Sequence, residues 1–312
     1  MVTRLDDGAL DGFPPASRFV EHHVRDAGIR TVPAASRERG IHDHPTVGHS
    51  CPQHSDGGVA GPDFHEGTLV NITDSVALVS GANRGMGRVY VSELLGRGAA
   101  RVYAVCRDPR TLAPAHLGDE RVIPVSLDIT DAHGVATAAA NASDVSLLIN
   151  NAGSSFTEPV VSGELDRVRR EFETHVFGTL NMVRAFAPVL AANGGGAILT
   201  MLSALSWVDY YGLGSYTAAK TALWGLNTTI RNELASQRTQ VVGLHVGATD
   251  TDMTAGYDMP KVAPEEVVAA ALDGVAAGSL EVLFGTEAEE AKKALARTPE
   301  QLYPGSVPGT WS

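Results

Sequence analysis

A doubly wound α/β fold, one parallel sheet with helices on both faces, is predicted by three features of the sequence. Short β-branched apolar runs alternate with helical stretches from about residue 74 onward. A glycine-rich turn joins the first apolar run to the first helix. Hydrophobic residues make up 44% and charged residues 19% of the 312, so most of the chain can build a core. Strand–helix–strand units of this kind cross over right-handed and cover both faces of their sheet.

The elements follow in order. SVALVS over 75–80 is a short run ending at a glycine, which suits a buried parallel strand. A helix is expected over 85–96, stopped near Gly96 and Gly98. ARVYAV (100–105) and RVIPVSL (121–127) read as the second and third strands. A helix over 131–140 leads to VSLLIN (145–150), the fourth. One long amphipathic helix is expected over 164–191, before Asn193-Gly194. GAILTMLS (196–203) is the fifth strand, a helix covers 214–236, and QVVGLHV (240–246) is the sixth strand. Residues 263–278 carry a proline near their start and a glycine near their end, the signature of a capped helix. LEVLFG (280–285) completes the sheet, and a last helix starts near 286 and frays after Pro299.

This pattern bounds one domain over 71–290 and a C-terminal tail over 291–312. Residues 1–70 are different. They are rich in Gly, Pro, Asp and His, hold seven of the eleven histidines, and lack sustained periodicity. A disordered or non-native extension is expected there, such as a start codon placed too far upstream would give. His42, His44, His49, Cys51 and His54 lack the ordered spacing of a structural zinc site, so no metal is expected.

The net charge of −12 argues against a nucleic-acid or anionic-membrane partner. The first residues, MVTRLDDGALDGFPP, show no secretory h-region, and no apolar run reaches the roughly 18 residues of a membrane span. Cys51 and Cys106 form no disulfide pattern. A cytoplasmic protein is the resulting expectation.

Chemistry enters at the first turn. Ser80-Gly81-Ala82-Asn83-Arg84-Gly85-Met86-Gly87 places glycines in a G-x-x-x-G-x-G spacing between strand and helix. Gly81 permits the tight turn, while Gly85 and Gly87 let the backbone approach a pyrophosphate at the helix N-terminus. A ligand-free glycine turn is the plainer alternative. Arg107 follows the second strand, where a nucleotide-binding unit tests for the ribose 2′ substituent. Arg107, with Arg84 as a second cation, favours NADP, and Asp108 one step further keeps NAD as the alternative.

Tyr216 and Lys220 are four residues apart on an expected helix, so both face one side. An ammonium beside a phenol favours the phenolate and should lower the tyrosine's pKa from about 10. A second Y-x-x-x-K, Tyr257 to Lys261, contains Pro260 and is rejected. Ser203 ends the fifth strand, thirteen residues before Tyr216. Ligands bind beyond the C-terminal ends of such strands, so Ser203, Tyr216 and the glycine turn should meet there.

Taken together, SGANRGMG, Asp128, Asn150-Asn151-Ala152-Gly153, Ser203 and YTAAK resemble the short-chain dehydrogenase/reductase family over about residues 74–285. The resemblance implies a Rossmann fold and hydride transfer between NADP(H) and a carbonyl or alcohol. It implies that Tyr216 donates the proton, that Lys220 bonds the nicotinamide ribose, and that Ser203 holds the substrate oxygen. Around the cofactor it implies Gly81, Asn83, Arg84, Gly85, Met86 and Gly87 at the phosphates and Arg107 at the ribose. Asp128 and Ile129 would lie at the adenine, Asn151, Ala152 and Gly153 along the adenosine side, and Gly247, Thr249 and Thr251 beside the carboxamide. It further implies a homodimer or homotetramer packed through the long helices.

Three positions depart from the family pattern. Ser80 replaces a threonine and Val246 a proline. His175 stands where the family has a catalytic asparagine that supports a water in the proton relay from Lys220. A histidine there relays protons itself, or it impairs turnover and leaves an NADP-binding regulatory protein. Residues 204–211 follow Ser203 and should face the substrate, their aromatics suggesting an apolar or ring-bearing compound, with simple packing the alternative.

Overall fold

The computed structural model describes residues 70–306 apart from Thr157 and Tyr211. The expectations for residues 1–69, including the histidine-rich stretch, lie outside the described residues. Among these, seven strands form one sheet: β1 (Val76–Ser80), β2 (Arg101–Cys106), β3 (Val122–Ser126), β4 (Leu147–Asn150), β5 (Gly196–Met201), β6 (Thr239–Val246) and β7 (Glu281–Phe284). Their spatial order is β3-β2-β1-β4-β5-β6-β7, and every neighbouring pair is parallel. Strand order reverses between β1 and β4, which opens a crevice at their C-terminal ends.

The main helices are α1 (Gly85–Gly96), α2 (Ala132–Asn141), α3 (Leu165–Phe172), α4 (Thr179–Ala192), α5 (Gly214–Leu234), α6 (Pro264–Ala276) and α7 (Thr286–Ala294). Alternation along β1 explains the two layers. Ala77 and Val79 face Tyr90 and Leu94 of α1 and Leu272 of α6. Leu78 faces the other way, toward Val135 of α2, Phe186 and Leu190 of α4 and Ile230 of α5. Burying each large side chain contributes roughly 1.5–3 kcal/mol, so both layers help hold the sheet beneath the site. No helix among the described residues is long and apolar enough to cross a membrane.

Three details differ from the sequence expectation. The single helix over 164–191 is interrupted by a π-helical turn, Glu173–Gly178, between α3 and α4. Gly178 lies there against Ile129, where a Cβ would come within 2.8 Å of that side chain. The wider turn also carries His175 and Val176 into the interior. Strand β5 stops at Met201 rather than 203, because the Ser203 hydroxyl accepts from the Leu205 N–H and starts a short turn, Ala204–Ser206. The chain beyond Pro299 does not fray at once: Thr298 caps one more turn, Pro299–Leu302.

Candidate active site

Local backbone chemistry builds a cradle at the β1–α1 junction. Gly81 and Gly85 adopt φ of +70° and +51°, a region that L side chains avoid. A Cβ on Gly87 would stand 2.0 Å from the Gly81 carbonyl oxygen, so only glycine lets the helix start this close to the turn. No side chain caps the α1 N-terminus, and its first turn has no acidic residue. Free N–H groups and the helix dipole therefore meet at a glycine-lined surface suited to a dinucleotide's phosphates.

Ser80 ties this turn to the end of β4. Its hydroxyl accepts from the N–H groups of Asn151 and Ala152, each at 3.0 Å, and donates to Ile149. The Asn151 amide donates to the Ser80 carbonyl at 2.8 Å. The serine thus does its work with the hydroxyl it shares with the family's threonine. Asn83 donates to Thr111, and Met86 is half-buried against the core. Asp128 is exposed and accepts from Thr130, while Ile129 is buried. Arg107 is exposed. Asp108 is gripped by both ends of the Arg110 guanidinium, which holds its carboxyl below the usual range. Arg84 lies 3.8 Å from Asp252, both largely exposed.

The segment after β6 closes the other side. Thr251 is the nearest neighbour to the position a Cβ on Gly85 would take, at 3.5 Å. The Thr251 hydroxyl donates to the Thr249 carbonyl, and Thr249 bridges to Val262. Gly247 leaves room for Glu287 of α7, whose carboxylate would sit 1.7 Å from a Cβ there and accepts from the Ala248 N–H.

The four catalytic candidates come together at the same edge. Tyr216 lies in the first turn of α5, with the Ser203 hydroxyl close enough to its phenol to favour the phenolate. Lys220, one turn on, is buried; its Nζ donates to the Met201 carbonyl at 2.6 Å and lies 5.6 Å from the Tyr216 ring centre. His175 presents its ring edge-on to Tyr216 at 5.4 Å between centres.

The electrostatics correct one expectation. Burial pushes Tyr216 up to about 12, and the nearby Ser203 hydroxyl only partly offsets it. Burial pulls Lys220 down to about 7, against the attraction of Glu171. The lysine does not depress the tyrosine in this arrangement, because both groups are desolvated and the ammonium is turned to Met201. For residues 204–211, Trp207 takes the packing alternative. Trp207 is buried, stacks on His245 at 3.7 Å and lies beneath the Lys292 ammonium, so it packs away from the crevice. Asp209 donates its N–H to Tyr303 of the C-terminal tail. Tyr211 lies outside the described residues.

Three residues of the site were not singled out from sequence. Glu171 is fully buried and accepts from the Ser154 hydroxyl and the Phe156 N–H, both at 2.8 Å, and from Ser215 at 3.4 Å. Its signal was its place four residues before His175, on one helix face. His245 holds the Ser203 carbonyl through Nδ1 at 3.0 Å, and burial draws its pKa down to about 4. Glu287 left no local signal, because its partner, Ala248 in the turn after β6, is 39 residues away.

Comparison with known proteins agrees with this geometry. Residues 75–261 match the short chain dehydrogenase family. An oxidoreductase of Botryotinia fuckeliana is 30% identical over 215 residues, covering 67% of this chain and 77% of that one. A trans-4-hydroxycyclohexanecarboxylate dehydrogenase of Sinomonas cyclohexanicum is 30% identical over 198 residues, covering 59% and 76%. A short chain dehydrogenase from Burkholderia cenocepacia, solved in complex with NADP, is 40% identical, with a TM-score of 0.72 over 75% of this chain and 98% of its own. The chain belongs to the short-chain dehydrogenase/reductase family, enzymes that act on alcohols and carbonyls.

Proposed function

We propose that this enzyme is NADP-dependent and interconverts a small-molecule carbonyl compound and its alcohol, with Tyr216 as general acid and base. The observation that carries the reading is the cluster of Ser203, Tyr216 and Lys220 beside the glycine cradle. The nicotinamide, when bound, supplies or takes up the hydride. Ser203 holds the substrate oxygen at the Tyr216 phenol, and the phenol gives that oxygen its proton during reduction. A phenol with a pKa near 12 is protonated throughout the neutral range, so it is ready as a donor.

Lys220 would hold the nicotinamide ribose through its ammonium. Gly81, Gly85 and Gly87 would receive the pyrophosphate with Asn83, Arg84 and Met86 around it; Asp128, Ile129 and Asn151 to Gly153 would line the adenosine; and Gly247, Thr249 and Thr251 would line the carboxamide. For the 2′-phosphate, Arg107 is an exposed cation with no ion pair among the described residues, while the neighbouring Asp108 is neutralised by Arg110. The NADP complex of the Burkholderia cenocepacia relative supports the same choice. Exposed Leu165 and Phe177, on the helical segment assigned to packing between copies, support a homodimer or homotetramer. NADPH and NADH oxidation against a panel of aldehydes, ketones and quinones tests the reading. Faster turnover with NADPH supports it, and no turnover with any carbonyl overturns it.

A further inference from the structure

Buried carboxylates need a reason, because an ionised group in the interior is costly unless it is paired and hydrogen-bonded. Glu171 is fully buried and His175 nearly so, and the Glu171 Oε1 stands 3.5 Å from His175 Nε2. The same ring nitrogen lies 2.7 Å from the Ser154 carbonyl oxygen, which can only accept. The Ser154 N–H is more distant, at 3.3 Å. Two acceptors therefore face Nε2, and in the neutral ring that nitrogen carries the hydrogen. Nδ1 is then a bare acceptor, buried and without a partner among the described residues, lying near Gly153. Tyr216 is edge-on to the ring, and Lys220 is close enough for its charge to bear on it.

We propose that Glu171 is a positioning residue for His175, fixing the ring so that Nδ1 serves as the proton-carrying atom in place of the family's asparagine. This rests on the reading of Tyr216 as acid. During reduction Tyr216 gives its proton to the substrate oxygen, and the phenolate recovers one from the Lys220 ammonium. The resulting amine recovers the proton that His175 carries on Nδ1, and water entering the buried pocket between turnovers recharges that atom. Glu171 balances the charge while the ring is imidazolium. The charged or titratable groups facing His175 are Glu171 on α3 and Tyr216 and Lys220 on α5. Burial and Lys220 hold the ring's pKa below its ordinary value, and Glu171 opposes them. Hydrogen bonds keep Glu171 itself ionised, below the usual range, although burial alone would raise it.

The test compares Glu171→Gln in two backgrounds, native and His175→Asn. In the native background we expect kcat for NADPH-driven reduction to fall about tenfold with KM little changed, and the acid limb of the kcat profile to move. In the His175→Asn background the same change should have less than about a twofold effect, since a relay through the ring is already gone. An equal loss in both backgrounds overturns the proposal and leaves Glu171 as a brace for residues 154–156. Nitrogen NMR of the His175 ring in the unliganded wild-type protein needs no variant. The Nε2–H tautomer is expected, and an Nδ1–H ring overturns the proposal. Tyr216→Phe is the control: if it stays active, the functional reading itself fails, whereas an inactive Tyr216→Phe without the Glu171–His175 coupling sinks only this inference.

Discussion

Lys220 reaches back from α5 to donate to the carbonyl of Met201, the last residue of β5, at 2.6 Å. That bond holds a buried ammonium against the end of the sheet, while burial, only partly opposed by Glu171, draws its pKa down to about 7. The unfolded lysine titrates near 10.4. Between those values the unfolded chain binds more protons, so stability rises as pH increases from about 7 toward 10. Above about 10 the trend reverses, because unfolded tyrosine ionises before Tyr216, which burial keeps near 12. Denaturant unfolding of the unliganded protein at pH 7 and 9.5 should show the rise, and Lys220→Met should flatten it.

The pair also predicts proton uptake on cofactor binding. A ribose hydroxyl bonded to the ammonium favours its charged form and raises the pKa from about 7. Calorimetry near pH 8 in buffers of different ionisation enthalpy should detect a proton taken up by the wild type. Lys220→Met should bind without it.

Two glycines of α1 should respond to alanine in opposite ways. At Gly87 the new methyl would stand 2.0 Å from the Gly81 carbonyl oxygen. Helix propensity gains about 1 kcal/mol, but the backbone clash costs about 3 kcal/mol or more and displaces the phosphate turn. Gly96 has nothing within 4 Å. There the same change should stabilise by up to about 1 kcal/mol and leave NADPH affinity unchanged. Chemical denaturation and cofactor titration read both.

Ser80→Ala removes the acceptor shared by the Asn151 and Ala152 N–H groups. Leaving them unpaired should cost about 1–3 kcal/mol, while Ser80→Thr should be nearly neutral.

Cofactor choice is tested at the end of β2. Arg107→Ala should raise KM for NADPH by about ten- to a hundredfold, the worth of a charge-assisted bond, and leave KM for NADH little changed. Equal effects on both cofactors would assign Arg107 no role in recognising the 2′-phosphate.

The strands and most helices were legible because each carries its own periodic or glycine signal, as β1 and the turn at Gly81 do. The convergence of Ser203, Tyr216 and Lys220 was legible because strand ends and helix starts in a parallel sheet share one edge. What was hidden depended on contacts distant in sequence. Trp207 looks like a substrate-facing aromatic until His245 and Lys292 are seen to enclose it. The π-helical turn sets Gly178 against Ile129, about fifty residues away in the chain. The upward shift of Tyr216 comes from desolvation, which local spacing does not encode.

NADPH consumption by wild type and Tyr216→Phe, each at matched cofactor occupancy with the best carbonyl found, tests the acid assignment most directly. The account predicts that the wild type turns over and that Tyr216→Phe loses about a hundredfold or more in kcat, the range for a lost general acid, while binding NADPH nearly as well. Equal rates from the two proteins would contradict it.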